Sequence, residues 1–208
     1  MLSRLSRFAL ALPVLRAHQP QLSKGISSAQ YPMAESSETA TFASGCFWGT
    51  EHIFVKHYGN GKGILKTSVG YTGGHPSPAN TKPTYREVCS GSTGHAEACR
   101  VEFDPSKVTY AQLVEFFYRT HDPTTVDRQG PDTGTQYRSA IFYHSEEQER
   151  FAKQVTEEVQ KKHFEGKGMK IVTKIEPASD WYDAEDYHQM YLFNNPNGYQ
   201  CPTHRLQW

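Results

Sequence analysis

Ala40-Thr41-Phe42-Ala43-Ser44-Gly45-Cys46-Phe47-Trp48-Gly49 runs a short apolar stretch into a cysteine set between two glycines. Beyond it, Phe47, Ile53, Phe54 and Tyr58 return at about helical spacing, so the stretch reads as a strand, a tight turn and the start of a helix. Cys46 then falls where strand hands over to helix. Unpaired backbone N–H groups and the positive end of the helix dipole gather there and favour an anion. Such surroundings lower a thiol pKa and make the sulfur nucleophilic near neutral pH. Gly45 and Gly49 let the backbone turn tightly and let a substrate approach closely. Phe47 and Trp48 set an aromatic wall beside the sulfur. The stretch alone leaves two readings open, a nucleophile and a cysteine that only packs.

The chain has 208 residues, enough for one domain with a sizeable core and extensions. Lys and Arg together number 22, as do Asp and Glu, so no basic field points to nucleic acid. No apolar run approaches the roughly 20 residues of a membrane span. Cysteines stand at 46, 89, 99 and 201 with no Cys-x-x-Cys pair, which argues against a closed zinc site and predicts no metal. Their wide spacing is also unlike the disulfide framework of a small secreted domain, and thiol chemistry in a reducing compartment fits better.

Residues 1–34 read differently. Arg4, Arg7, Arg16 and Lys24 are basic, serines recur and no acidic residue precedes Glu35. Leu2, Leu5, Ala9 and Leu12 are spaced to make the apolar side of an expected short helix, the character of a mitochondrial transit peptide, with a disordered tail as the plainer alternative. Initiation at Met33 predicts a second, cytosolic form. The folded part is then one domain over 35–208, with a tail at 194–208.

Along that domain, Ile64, Lys66, Ser68 and Val69 predict a strand running into the turn 71–74. Residues 75–83 read as a surface loop and 84–90 as a short strand. Glu97, Cys99, Val101 and Phe103 alternate with Ala98, Arg100 and Glu102, which predicts a strand and puts the Glu97 carboxyl on the apolar face. Burial there raises a carboxyl pKa towards neutrality, as proton donation requires. Thr109-x-x-Gln112 fits a capping box ahead of Tyr110, Leu113, Val114 and Phe117 at helical spacing. A loop over 121–136 carries Asp132, and 138–144 reads as a strand. A helix capped by Ser145 follows, with Phe151, Val155 and Val159 on one face, ending at Gly166 and Gly168. The last strand is expected at 170–175, a helix capped by Asp183 over 184–192, and coil from Asn194 onward holding Cys201. This irregular alternation predicts an α+β single domain, a mixed β-sheet with packed helices.

The blocks Gly45-Cys46-Phe47-Trp48-Gly49, Gly70-Tyr71-Thr72-Gly73-Gly74, Thr84-Tyr85-Arg86-Glu87-Val88-Cys89 and Gly94-His95-Ala96-Glu97 resemble peptide methionine sulfoxide reductase of the A type. Gly134-Thr135-Gln136-Tyr137-Arg138-Ser139, Ala184-Glu185-Asp186-Tyr187-His188-Gln189 and Asn195-Pro196 continue the match over about 39–203. The resemblance implies a ferredoxin-like core, a long coil C-terminal tail and a monomer. It implies reduction of methionine-S-sulfoxide, protein-bound or free, with Cys46 attacking the sulfoxide sulfur and Glu97 donating a proton to its oxygen. Tyr85 and Tyr137 would hydrogen-bond that oxygen, Phe47 and Trp48 would hold the S-methyl group, and Asp132 and Tyr191 would support the pocket. Cys46 would end as a sulfenic acid, which Cys201 condenses with to form a disulfide that thioredoxin reduces. No cofactor beyond thioredoxin is implied. Where the family tail often runs Gly-Tyr-Cys, this chain has Gly198-Tyr199-Gln200-Cys201. Cys89 and Cys99 read as packing residues. A thiol-dependent peroxidase is the main rival. A cysteine hydrolase would need a base such as His188, which reads as a helix-surface residue, and a non-catalytic binding module would leave Cys46 dispensable.

Overall fold

Strand β1 (Glu38–Ser44) occupies the middle of the sheet, with both of its faces buried from Ala40 to Ser44. The computed structural model describes residues 37–75 and 82–208. The presequence reading of 1–34, Met33 included, and most of the loop expected at 75–83 lie outside the described residues. β1 runs through Gly45-Cys46 into helix α1 (Phe47–Tyr58). Strand β2 (Ile64–Thr72), helix α2 (Tyr85–Cys89), strand β3 (Ala96–Phe103) and helix α3 (Tyr110–Arg119) follow. A two-residue hairpin, β4 (Arg128–Gln129) and β5 (Asp132–Thr133), precedes a 3₁₀ turn at Thr135–Tyr137 and strand β6 (Ser139–Tyr143). Helix α4 (Glu146–Val159), strands β7 (Lys174–Pro177) and β8 (Tyr182–Asp183) and helix α5 (Tyr191–Asn194) complete the order.

The main sheet runs β7-β6-β1-β3-β2-β8. β1 pairs antiparallel with β3 and β6, β2 pairs antiparallel with β3 and β8, and β7 lies parallel to β6, so the sheet is mixed. Alternation sorts its faces. Phe42, Cys99, Val101, Phe103 and Ile141 turn to the helices, where Phe42 stacks on Phe54 of α1 at 5.2 Å and on Phe117 of α3 at 5.3 Å. Ala43, Ala98, Ala140 and Phe142 face the other way and pack under Ala178 and Trp181. α4 lies beside α3, joined to it by a 2.6 Å hydrogen bond between Tyr118 and Thr156 hydroxyls. The result is the α+β arrangement expected, helices laid over one face of a mixed sheet.

Four local expectations are corrected. Residues 84–90 form helix α2 rather than a strand, because Thr84 and Glu87 make a reciprocal capping box with the Thr84 N–H donating to the Glu87 carboxylate at 2.8 Å. The last long strand begins at Lys174, not 170. Gln160 accepts from the Ile171 N–H and donates to the Met169 carbonyl, and Val172 donates to Pro123, so the preceding residues are tied elsewhere. The helix expected over 184–192 is broken. Asp183 pairs in β8, a 3₁₀ turn covers Asp186–His188, and Met190 takes a left-handed φ of +52° before α5 begins. The buried Glu51 carboxylate accepts the Met190 N–H at 2.7 Å and the Thr67 hydroxyl at 2.9 Å, holding that turn in place. Finally, the loop 121–136 contains the β4–β5 hairpin.

Candidate active site

Cys46 is the N-cap of α1, at the strand-to-helix junction its flanks predict, and its carbonyl accepts from the Gly49 and Thr50 N–H groups at 3.2 and 3.3 Å. Gly45 has φ +94°, which favours glycine, and a Cβ there would lie 2.6 Å from Gln129. Gly49 is glycine for a different reason, since a Cβ would fall onto the His204 ring. The second glycine therefore admits the tail rather than a substrate.

Glu97 sits on β3 with 1% of its surface exposed, turned to the helix layer as the alternation requires. Its carboxyl accepts the Phe47 N–H, the first of α1, at 3.1 Å. The amide at the head of the helix thus serves the acid beside the sulfur. Burial pushes Glu97 up to about 8; the Phe47 N–H opposes this and Asp132 adds to it.

The low thiol pKa expected of Cys46 does not appear. Burial, followed by the Glu97 carboxylate, holds the thiol well above its ordinary value, and the Trp48 and Gly49 N–H groups pull only part of the way back. The helix terminus acts in the direction the sequence implies, but desolvation of the sulfur is the stronger effect.

The two tyrosines reach this pair from different elements. Burial first, and nearby Glu97 among the further causes, raise the hydroxyls of Tyr85 on α2 and Tyr137 in its 3₁₀ turn, and the Cys46 thiol also acts on Tyr137. Cys89, half-buried at the end of α2, is close enough to the Tyr85 hydroxyl to add to its rise. Cys99 is fully buried in the core. Glu185 fixes the start of α2, accepting the Tyr85 N–H at 3.1 Å and the Tyr71 hydroxyl at 2.8 Å.

Phe47 is buried, and Trp48 is clamped. Tyr191 stacks on its ring at 3.8 Å and 15°, while its indole N–H donates to His188 Nδ1 at 3.0 Å. His188 is 2% exposed amid Phe47, Tyr85 and Tyr187, so it is not the helix-surface residue expected. Burial lowers its pKa, with Glu185 opposing, which suits a neutral ring that accepts the indole proton.

Asp132, on the β4–β5 hairpin, faces the tail. Its Oδ1 accepts the Tyr199 hydroxyl at 2.8 Å, and its Oδ2 is buried without a partner. Cys201 follows two residues later, 2% exposed, donating to the Gln129 carbonyl at 3.6 Å. Burial raises its thiol, and all four cysteines are free thiols. No helix or strand occurs after Asn194, yet the segment is held down: His204 is buried, and Trp208 stacks on His163 at 4.1 Å. Sequence reasoning missed Glu51, Glu185, Tyr199 and His204. Of these, the acids lie inside or beside the recognised blocks and Tyr199 lies in the Gly198-Tyr199 tail match, while His204 carries no sequence signal.

No group of three or more His, Cys, Asp or Glu is placed to hold a metal ion among the described residues. No helix among them is long and apolar enough to cross a membrane. A cavity of about 650 Å³ opens on the sheet face away from the helices, between Lys66, Arg100, Glu102 and His144. None of the residues gathered around Cys46 lines it.

The fold thus brings a buried thiol and a buried acid together at one strand-to-helix junction, an arrangement that suits a cysteine-dependent oxidoreductase. The family model for peptide methionine sulfoxide reductase matches residues 38–207. The probable peptide methionine sulfoxide reductase of Schizosaccharomyces pombe is 52% identical over 171 residues, which is 82% of this chain and 97% of that one. Mxr1 from Saccharomyces cerevisiae in reduced form shares the fold at 44% identity and a TM-score of 0.76, over 83% of this chain and 93% of that one. Mxr1 in complex with Trx2 matches at 31% identity and a TM-score of 0.55, over 88% and 97% of the two chains. The chain belongs to the peptide methionine sulfoxide reductase family.

Proposed function

We propose that Cys46 and Glu97 together reduce methionine-S-sulfoxide, free or within proteins, to methionine. The observation that carries the reading is Glu97, a fully buried carboxyl held at about 8 beside the thiol. At neutral pH it is mostly the neutral acid, able to protonate a sulfoxide oxygen. Sulfoxide sulfur is a poor electrophile until its oxygen is protonated or strongly hydrogen-bonded. The Cys46 sulfur attacks it as Glu97 protonates the oxygen, and the thiol proton passes to Glu97. The oxygen then moves to the Cys46 sulfur as the methionine S–O bond and the new S–S bond break, so it finishes as the hydroxyl of a Cys46 sulfenic acid, the thioether leaves as methionine, and Glu97 ends as it began. Tyr85 and Tyr137 donate to the same oxygen, each worth about 3 kcal/mol where charge develops. Phe47 and the clamped Trp48 ring receive the S-methyl group. Asp132 and Tyr191 support the pocket, Asp132 by holding Tyr199 and Tyr191 by holding Trp48.

Cys201 then condenses with the sulfenic acid, and thioredoxin reduces the Cys46–Cys201 disulfide. The Mxr1 complex with Trx2 supports the choice of reductant. The order β6-β1-β3-β2, joined as strand-helix-strand, strand-helix-strand, supports a ferredoxin-like core. The catalytic domain is assigned to 35–208 with its redox tail at 194–208, working as a monomer without a bound cofactor. The basic, acid-free stretch 1–34 supports a mitochondrial presequence, with a cytosolic form begun at Met33. Fractionation that finds one product in one compartment rejects that pair of forms.

The test of the reaction is a thioredoxin-coupled assay on both sulfoxide epimers and on hydrogen peroxide, with mass spectrometry of the trapped disulfide. The S epimer alone should be turned over, with Cys46 joined to Cys201. Faster consumption of peroxide than of sulfoxide would make the protein a thiol peroxidase instead.

A further inference from the structure

His204 has no part in the chemistry above, yet its ring touches the Cys46 loop on both sides of the sulfur. Its Nε2 lies 2.9 Å from the carbonyl of Ser44, the last residue of β1. A carbonyl only accepts, so Nε2 carries the proton and Nδ1 is bare. Nδ1 is buried without a partner and abuts Gly49, where any side chain would strike it. The ring is 5% exposed, and burial pushes its pKa down to about 4, with the Ser44 carbonyl opposing, so it stays neutral at working pH. A neutral, fully packed ring suits holding rather than proton transfer.

The same residue is bound to Cys201 through the main chain, where the His204 N–H donates to the Cys201 carbonyl at 3.1 Å. A second tie runs by the other route. Cys201 donates to the carbonyl of Gln129, and the Gln129 side chain fills the space that a side chain at Gly45 would take. Cys201 is therefore registered against the loop from two directions, and His204 supplies the only one of these ties that is a side-chain hydrogen bond to the loop backbone.

We propose that His204 is a positioning residue for the second half of the reaction, docking the Cys201 segment onto the Ser44–Gly49 loop so that the two sulfurs meet. This rests on the assignment of Cys201 as the resolving thiol. In that step the Cys201 sulfur attacks the Cys46 sulfur, an S–S bond forms, the S–O bond breaks, and the hydroxyl leaves with the Cys201 proton as water. His204 exchanges no proton in it. Its contribution is effective concentration, since a thiol held in place closes a disulfide faster than one carried on a free segment.

The experiment compares His204→Gln, which keeps a donor at about the reach of Nε2, with His204→Asn, whose donor falls short, and with His204→Ala. Reduced full-length enzyme is mixed with one equivalent of N-acetylmethionine-S-sulfoxide without reductant. Methionine release and disulfide closure are followed in the same samples, the sulfenic acid being trapped with dimedone. Methionine release should stay within about twofold of wild type in all three, as the reacting groups are untouched. Closure should slow at least tenfold in the Ala and Asn variants, with dimedone-labelled Cys46 accumulating, and should remain within about threefold in the Gln variant. Closure at the wild-type rate in the Ala and Asn variants overturns the proposal. So does an equal fall in both rates, which would assign His204 to the stability of the loop alone. Cys201→Ser is run beside them. If thioredoxin recycles that variant at the wild-type rate, the assignment of Cys201 itself is wrong, a failure distinct from that of His204.

Discussion

Glu97→Gln separates the acid from the shape it fills. The carboxyl is held at about 8 against an ordinary 4.5, so ionising it inside the fold is uphill by roughly 5 kcal/mol, at about 1.4 kcal/mol per tenfold change. The folded state thus binds a proton that the unfolded chain has released across this window, and stability falls as pH rises. The contribution is whole below about 4.5 and gone above about 8. Glutamine has the same volume, can accept the Phe47 N–H, and does not ionise. The variant should match wild type near pH 4.5 and exceed it by about 4 kcal/mol at pH 8. Urea unfolding of both proteins at half-unit intervals of pH measures this, and the difference between them removes groups common to both. Activity should move the other way. Methionine formed in a single turnover should fall about 100-fold at pH 7 in the variant. The wild-type rate should decline above about 8 as the acid is lost, narrowing the gap. Parallel stability curves for the two proteins would mean Glu97 ionises at an ordinary pH, and the proton-donor argument would fall with them.

Cys46 in the resting enzyme should resist iodoacetamide, alkylating at pH 7 at least tenfold more slowly than a free thiol, because burial keeps it protonated; rapid labelling contradicts the burial argument. Gly49→Ala should displace His204, lower stability by about 2 kcal/mol and expose the Cys201 thiol to reagents, read by thermal melting and thiol counting. Trp48→Phe removes the donor to His188 and leaves that buried ring with no partner on either nitrogen; KM for sulfoxide should rise several-fold with a smaller change in kcat.

What the sequence made legible was what short-range pattern controls. The alternation at Glu97, Cys99, Val101 and Phe103 gave a strand with an acid on its buried face, and Thr109 with Gln112 gave the head of α3. The same Ser/Thr-x-x-Glu/Gln signature stood at Thr84 and Glu87, but Tyr85, Val88 and Cys89 favour strand, and only the Glu185 contact from far along the chain reinforces the helix. The breaks at 170–173 and at Met190 were illegible for a related reason. Pro123 and Glu51 impose them from elements remote in sequence, and Gln160 from the end of the preceding helix. His204 carries no pattern at all, being one histidine among ten.

The charge state of Cys46 marks where pattern stops being sufficient. A helix terminus contributes on the order of 1 kcal/mol to a nearby anion and fades within a turn. Removing a thiolate from water costs several kcal/mol, and that cost depends on every side chain that closes over the sulfur. Here Cys46 is 6% exposed, and the first N–H of α1 is given to Glu97. Desolvation therefore wins, and the sulfur rests as a thiol. That outcome suits a site built for one oxidant. A resting thiolate would react with any small peroxide that reached it, since the thiolate is the form that oxidises. A protonated sulfur beside a protonated acid waits for a substrate whose oxygen can take one proton while the other moves into its place. On this logic the acid is what makes the reaction conditional on the sulfoxide. Moving Glu97 to its ordinary ionisation would leave a carboxylate that pushes the thiol pKa higher still and offers the oxygen nothing.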